Sequence, residues 1–165
     1  MKSARPIELD AIDRKVLGVL QSDASLTNHA LAARVQTSPA TCLRRVKRLE
    51  ENGVIERRVA ILSPERLGHG LTAISEVSLD RQSAQALADF EARAIAEEAV
   101  QQCYRVSPGP DFVLNLQIID MPAYDGLVQR LFTSDANVRN VKTYFCVRRA
   151  KFETRIALPP VPVRH

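Results

Sequence analysis

The stretch SPATCLRRVKRLEENG, Ser38 to Gly53, decides the fold. Wound as a helix at about 100° per residue, it brings Cys42, Val46 and Leu49 together with Leu43 flanking them. Thr41, Arg44 and Arg48 fall on the opposite side, bordered by Arg45 and Lys47. Ser38 is suited to cap the N-terminus, Pro39 fits the first turn where its missing N–H costs nothing, and Gly53 stops the helix. Four cations stand within five residues, and only Glu50 and Glu51, beyond the run, offset them. A basic run by itself is usually a solvated face. Here Arg offers bidentate pairing to guanine edges, and Thr offers a hydroxyl or a methyl group. The face therefore has chemistry both for reading bases and for holding phosphates. The predicted DNA contacts are Ser38, Thr41, Arg44, Arg45, Lys47 and Arg48.

Upstream, the apolar spacing gives two more short helices. Ile12, Val16, Leu17 and Leu20 follow helical periodicity, with Asp10 and Asp13 near the positive end of the helix dipole. This helix should end near Ser22. Thr27 suits the N-cap of a second helix with Ala30, Leu31 and Val35 inside, and Gln36 and Thr37 form the turn before Ser38. Two helices joined by so short a turn make a helix-turn-helix. Downstream, the β-branched run from Val54 to Leu62 suggests a short strand or wing and a linker, in which Arg57 and Arg58 either touch phosphates or face solvent.

Charge supports this placement. Residues 1–62 carry 11 Lys or Arg against 7 Asp or Glu, whereas residues 63–165 carry 12 of each, so the net +4 belongs to the N-terminal part. The segment from Met1 to Ile7 offers no apolar stretch suited to a signal peptide, and no apolar run is long enough to span a bilayer. Cys42, Cys103 and Cys146 are too widely spaced for a metal-ligand pair or an obvious disulfide framework, so a reducing cytoplasm fits. No cofactor is expected. His29, His69 and His165 define neither a triad nor a metal site.

From Leu71 the pattern changes. Strands are predicted over Leu71 to Leu79, Val100 to Ser107, Phe112 to Ile119 and Val138 to Val147. One helix begins at Ser83 with Leu87, Phe90 and Ala94 inside. A second begins at Pro122 with Tyr124, Leu127, Val128, Leu131 and Phe132 as its apolar stripe. Pro108-Gly109-Pro110-Asp111 marks the turn between the middle strands. The βαββαβ order is ferredoxin-like, with helices on one sheet face and the other face requiring a partner, most economically a second copy. The expected class is α+β, with a winged helix-turn-helix at 1–62, a ferredoxin-like effector-sensing and oligomerisation domain at 63–155, and a mobile Pro-rich tail at 156–165.

The segments Leu9-Asp10-Ala11-Ile12-Asp13, Ser38 to Glu50, Gly53-Val54-Ile55, Asp120-Met121-Pro122-Ala123-Tyr124 and Lys142-Thr143-Tyr144 together resemble the leucine-responsive/asparagine-regulator, or feast/famine, family. The resemblance runs from roughly Leu9 to Glu153. It implies a transcription regulator that binds double-stranded DNA, forms homodimers through its C-terminal domain that assemble into tetramers or octamers, and answers an amino acid or related metabolite in controlling amino-acid metabolism or transport genes. Carried onto this chain, the effector residues are Arg105, Ser107, Gly109, Asp111, Met121 and Tyr144. This sequence departs from the family where Pro108 replaces a usual Gly, and Pro110 removes another backbone donor. Either Arg105 then supplies the missing grip on an effector carboxylate or the effector is of another chemical type; Asp111 would answer a ligand amino group, and Arg105 is expected on the open or interfacial side of the sheet. Two alternatives stand beside this reading: a non-sequence-specific architectural DNA binder, and an enzyme subunit built on the ferredoxin-like fold.

Overall fold

The computed structural model describes residues 7–158. It divides the chain into two compact units, one of Met1–Ile61 with Lys151–His165 and one of Leu62–Ala150.

In the first unit, α1 (Ala11–Leu20), α2 (Asn28–Val35) and α3 (Pro39–Glu51) are each started by the side chain that precedes them. The Asp10 carboxylate accepts from the Ile12 and Asp13 N–H groups at 2.9 Å, and the Asp13 carboxylate accepts in return from the Asp10 N–H at 3.1 Å. This reciprocal capping satisfies donors that have no partner within the helix. Thr27 and Ser38 cap α2 and α3 through the Ala30 and Thr41 N–H groups. Gln36 ends α2 in the left-handed conformation, φ 59°, and the Thr37 N–H donates to the Ala32 carbonyl. Val16, Leu17, Leu31, Ala32, Val35, Cys42, Val46 and Leu49 close the core between the helices.

Four local expectations change. Ala32, not Ala30, takes the inner position on α2, and Leu43 is 58% exposed. Val54 to Leu62 forms no strand: the Val54 and Ile55 N–H groups both turn back to the Leu49 carbonyl, and these two side chains pack on the three-helix core. Finally, the C-terminal segment is held at its start. The Gln21 side-chain amide donates to the Ile156 carbonyl at 3.2 Å and accepts from the Ile156 N–H at 2.8 Å, and Leu158 packs against the same core. An amide side chain supplies both a donor and an acceptor, so it pairs with backbone as a strand would. The expected mobile tail therefore does not begin at Ile156, and residues 151–158 group with the first unit rather than the second. Pro159, Pro160 and Pro162 lie outside the described residues. Truncation after Ala150 should consequently destabilise the helical unit by about 1–2 kcal/mol through lost hydrogen bonds and apolar burial. Hydrogen exchange checks this: α1 amides should exchange faster in the truncated chain, and unchanged protection would show that the segment contributes nothing.

The second unit contains β1 (Leu71–Leu79), α4 (Ala84–Ala96), β2 (Val100–Arg105), β3 (Phe112–Ile118), α5 (Met121–Leu127) and β4 (Val138–Phe145). The sheet order is β2-β3-β1-β4 with antiparallel neighbours. After Leu127 the second helix widens into a π-helical turn, Val128–Thr133, which still directs Leu131 and Phe132 inward. Ala73, Val77, Leu79, Phe112, Leu114, Leu116 and Ile118 pack with Phe90, Leu127 and Leu131 to form the core on the helix-covered face. Period-2 alternation puts Ile74, Glu76, Val113, Asn115, Lys142 and Tyr144 on the opposite face.

Candidate DNA-binding surface and ligand domain

Ser38 and Thr41 are joined to each other, since the Ser38 hydroxyl caps α3 and donates to Thr41 Oγ1 at 2.9 Å. Arg44 is exposed and has no hydrogen-bond or ion-pair partner among the described residues. Lys47 is exposed too, with Glu51 one turn away at 3.7 Å, a solvent-screened pair that leaves the ammonium available. Arg45 and Arg48 are placed differently. Arg45 Nη1 donates to Asp10 Oδ2 at 2.5 Å and to Asp13 Oδ1 at 2.9 Å, while Arg48 Nη2 donates to Asp13 Oδ2. The Asp13 side chain is wholly buried, and that of Arg45 is only 19% exposed. The hydrogen bond from the Asp13 N–H, helped by Arg45, holds the Asp10 carboxyl below its ordinary range.

The open cations of α3 are thus Arg44 and Lys47, with Arg48 partly available at its exposed end. Sequence reasoning missed Asp13: its short spacing from Asp10 reads as ordinary dipole compensation, and nothing linear connects it to residues 32 and 35 positions further on. Arg58 pairs with Glu50 at 2.8 Å.

In the second unit, the expected effector residues do not converge within one chain. Asp111 is a stitch for the turn. Its N–H donates to the Val77 carbonyl at 2.8 Å, its carbonyl accepts from Val106 at 3.0 Å, and its carboxylate accepts from the Leu79 N–H at 2.7 Å. Arg105 stands opposite Phe112, exposed at the edge of the helix-covered side. That corrects its expected placement on the open face: Cys103 and Arg105 share the parity of Leu114 and Phe112, and exposure at an edge strand lets the guanidinium reach water without the open face. Ser107 and Gly109 are exposed in the turn, with Gly109 at φ 120°. Gly109 and Pro110 overhang a concavity of about 250 Å³ with Glu76, Ser78, Asn140 and Lys142. Tyr144 pairs with Ile74 across the open face. Met121 begins α5 at the far end of β3, about 20 Å from Asp111 at the usual strand rise.

A wider concavity, about 460 Å³, lies between α5, the π-helical turn and β4. Its polar lining includes Arg139, Asn140 and the Tyr124 hydroxyl, which donates to Thr143 Oγ1 at 2.7 Å, and Thr143 in turn meets the buried Ser75 hydroxyl at 2.8 Å. Burial pushes the Cys42 and Cys103 thiols up, which disfavours the nucleophilic thiolate. Among the described residues no group of His, Cys, Asp and Glu is arranged to hold a metal ion, and no helix is long and apolar enough to cross a membrane.

Comparison with known proteins follows the same division. The winged helix-turn-helix DNA-binding family matches residues 9–56, and the Lrp/AsnC ligand binding domain matches residues 72–156. The chain belongs to the Lrp/AsnC family of transcription regulators. It is 39% identical over 145 residues to the leucine-responsive regulatory protein of Rhizobium meliloti, covering 88% of this chain and 93% of that one. An HTH-type transcriptional regulator of Haemophilus influenzae is 36% identical over 150 residues, covering 91% and 89%. The crystal structure of a Neisseria meningitidis transcriptional regulator in complex with L-methionine superposes with a TM-score of 0.85 at 35% identity, covering 90% of this chain and 96% of that one. This Lrp/AsnC regulator therefore has the α+β organisation expected, a DNA-binding helix-turn-helix followed by a ligand-binding ferredoxin-like domain.

Proposed function

We propose that this Lrp/AsnC regulator is a cytoplasmic, non-enzymatic switch: a homo-oligomer that reads operators through α3 and answers an amino acid or a close metabolite. The observation that carries the DNA reading is the outward pair Arg44 and Lys47 on α3, two cations with nothing among the described residues to neutralise them beyond one screened carboxylate.

The effector reading is supported by the family and by the L-methionine held by the Neisseria meningitidis relative. Separation of the Arg105, Ser107, Gly109 and Asp111 group from Met121 favours a site completed by a second copy, in which one chain supplies the turn and another the α5 end. Within that site Asp111 shapes the turn, and Arg105 is the group free to take a carboxylate. The unpartnered sheet face carries Ile74 and Tyr144, 42% and 53% exposed, and a second copy covers it.

A thermal-shift screen of the full chain against the proteinogenic amino acids and their keto acids tests the effector class. A selective ligand should raise the melting temperature in a concentration-dependent manner, and Arg105→Ala should reduce that shift. A screen in which no amino acid or keto acid moves the transition would refute the effector class, and full retention of the shift by Arg105→Ala would remove this residue from the site.

A further inference from the structure

We propose that Arg45 and Arg48, although they lie on the recognition helix, act as positioning residues: Asp13 on α1 grips both and fixes the rotation at which α3 presents Arg44 and Lys47 to the groove. The proposal rests on α3 being the DNA-binding surface and assigns different work to its four cations.

Burial comes first. A wholly buried carboxylate is costly unless paired and hydrogen-bonded, and Asp13 meets that need with the Asp10 N–H and the two guanidinium groups. Arg45 reaches Asp10 and Asp13 from the same nitrogen, and its Nε is shut off from solvent without a partner. A guanidinium so enclosed has little left to offer a phosphate. Charge comes second. Asp10 and Asp13 balance Arg45 and Arg48, so this cluster is locally neutral and displaces few counterions from DNA. Geometry comes third. Arg45 and Arg48 are one helical turn apart, Arg45 beside the buried stripe Cys42, Val46 and Leu49 and Arg48 further round the same side, so tying both to one carboxylate fixes α3 against rotation about its axis. Base readout depends on side chains arriving within a fraction of an ångström of donor and acceptor edges.

The test uses the full-length protein, a duplex selected by it from a random library, and a random-sequence duplex. Anisotropy titrations at several salt concentrations give affinity and salt slope. Folding is checked by circular dichroism for Arg45→Ala, Arg45→Lys, Asp13→Asn and Arg44→Ala. Arg45→Ala should leave the slope on random duplex at the wild-type value while lowering the preference for the selected duplex roughly tenfold or more. Arg45→Lys keeps the charge but loses the planar fork, and should lose preference in the same direction; it also serves if the alanine variant fails to fold. Asp13→Asn frees two cations, so its random-duplex slope should hold or steepen while preference falls. A slope flattened by about one in Arg45→Ala would make it a phosphate contact and overturn the proposal, as would preference retained in the folded variants. A role in stability alone would lower the melting temperature and move neither reading, which also overturns it. Arg44→Ala reports separately on the surface itself: a flat response there removes α3, whereas flattening by Arg45→Ala removes only the positioning role.

Discussion

With the proposed homo-oligomer assembled through the open sheet face, Ile74→Glu combined with Tyr144→Asp should dissociate it into monomers. These two residues face each other across β1 and β4 on the sheet face opposite the one that packs against α4 and α5, and both are substantially exposed among the described residues. A two-fold interface uses each patch twice, so the double substitution places four new carboxylates in one contact, where like charges directly opposite repel. The substitutions point away from the core formed by Phe90, Phe112 and Leu127, and the fold should survive. Loss of the second half-site contact should then lower operator affinity by a factor on the order of 10²–10⁴, the gain that linkage supplies. Sedimentation velocity checks the first effect. A variant that keeps the wild-type mass would place the assembly interface elsewhere.

Local signals made most of the fold legible. Ser38 and Thr27 are caps because short oxygen-bearing side chains satisfy the first free N–H groups, and both do so; Asp10, expected only near the positive end of the dipole, caps α1 as well. The period-2 run over Leu71 to Leu79 gives β1 its bounds directly. Non-local terms decided what was not legible. Val54 to Leu62 has the composition of a strand, but a strand requires a neighbour for its ladder, and among the described residues the backbone that answers Val54 and Ile55 is the end of α3. Gln21 and Ile156 are brought together across 135 positions of sequence, a pairing that neither local pattern announces.

The DNA surface was legible as a face and not as individual roles. A helical wheel places Arg44 and Arg48 together, yet the direction of a guanidinium is set by the nearest buried carboxylate, and Asp13 belongs to another helix. The ligand domain was legible in the order of its elements. Its site residues were less so, because Asp111 spends its carboxylate on the Leu79 N–H and Met121 stands at the other end of β3.

Arg44→Ala with Lys47→Ala should produce the larger direct loss in DNA binding. Each side chain is exposed, and neither is held by a buried carboxylate, so removing both leaves the helix caps and the Cys42, Val46 and Leu49 stripe intact. Each cation that neutralises a phosphate releases counterions and adds about 0.9 to the salt slope, while a base-contacting arginine contributes roughly 1–3 kcal/mol. The two together should therefore lower affinity for the selected duplex by roughly a hundredfold or more and relax its sequence preference. The most direct measurement is the slope of log K against log salt concentration for the folded double variant and the wild type on that duplex. The variant's line should be shallower by about two with reduced affinity throughout; coincident lines would contradict the assignment of α3 as the DNA-binding surface.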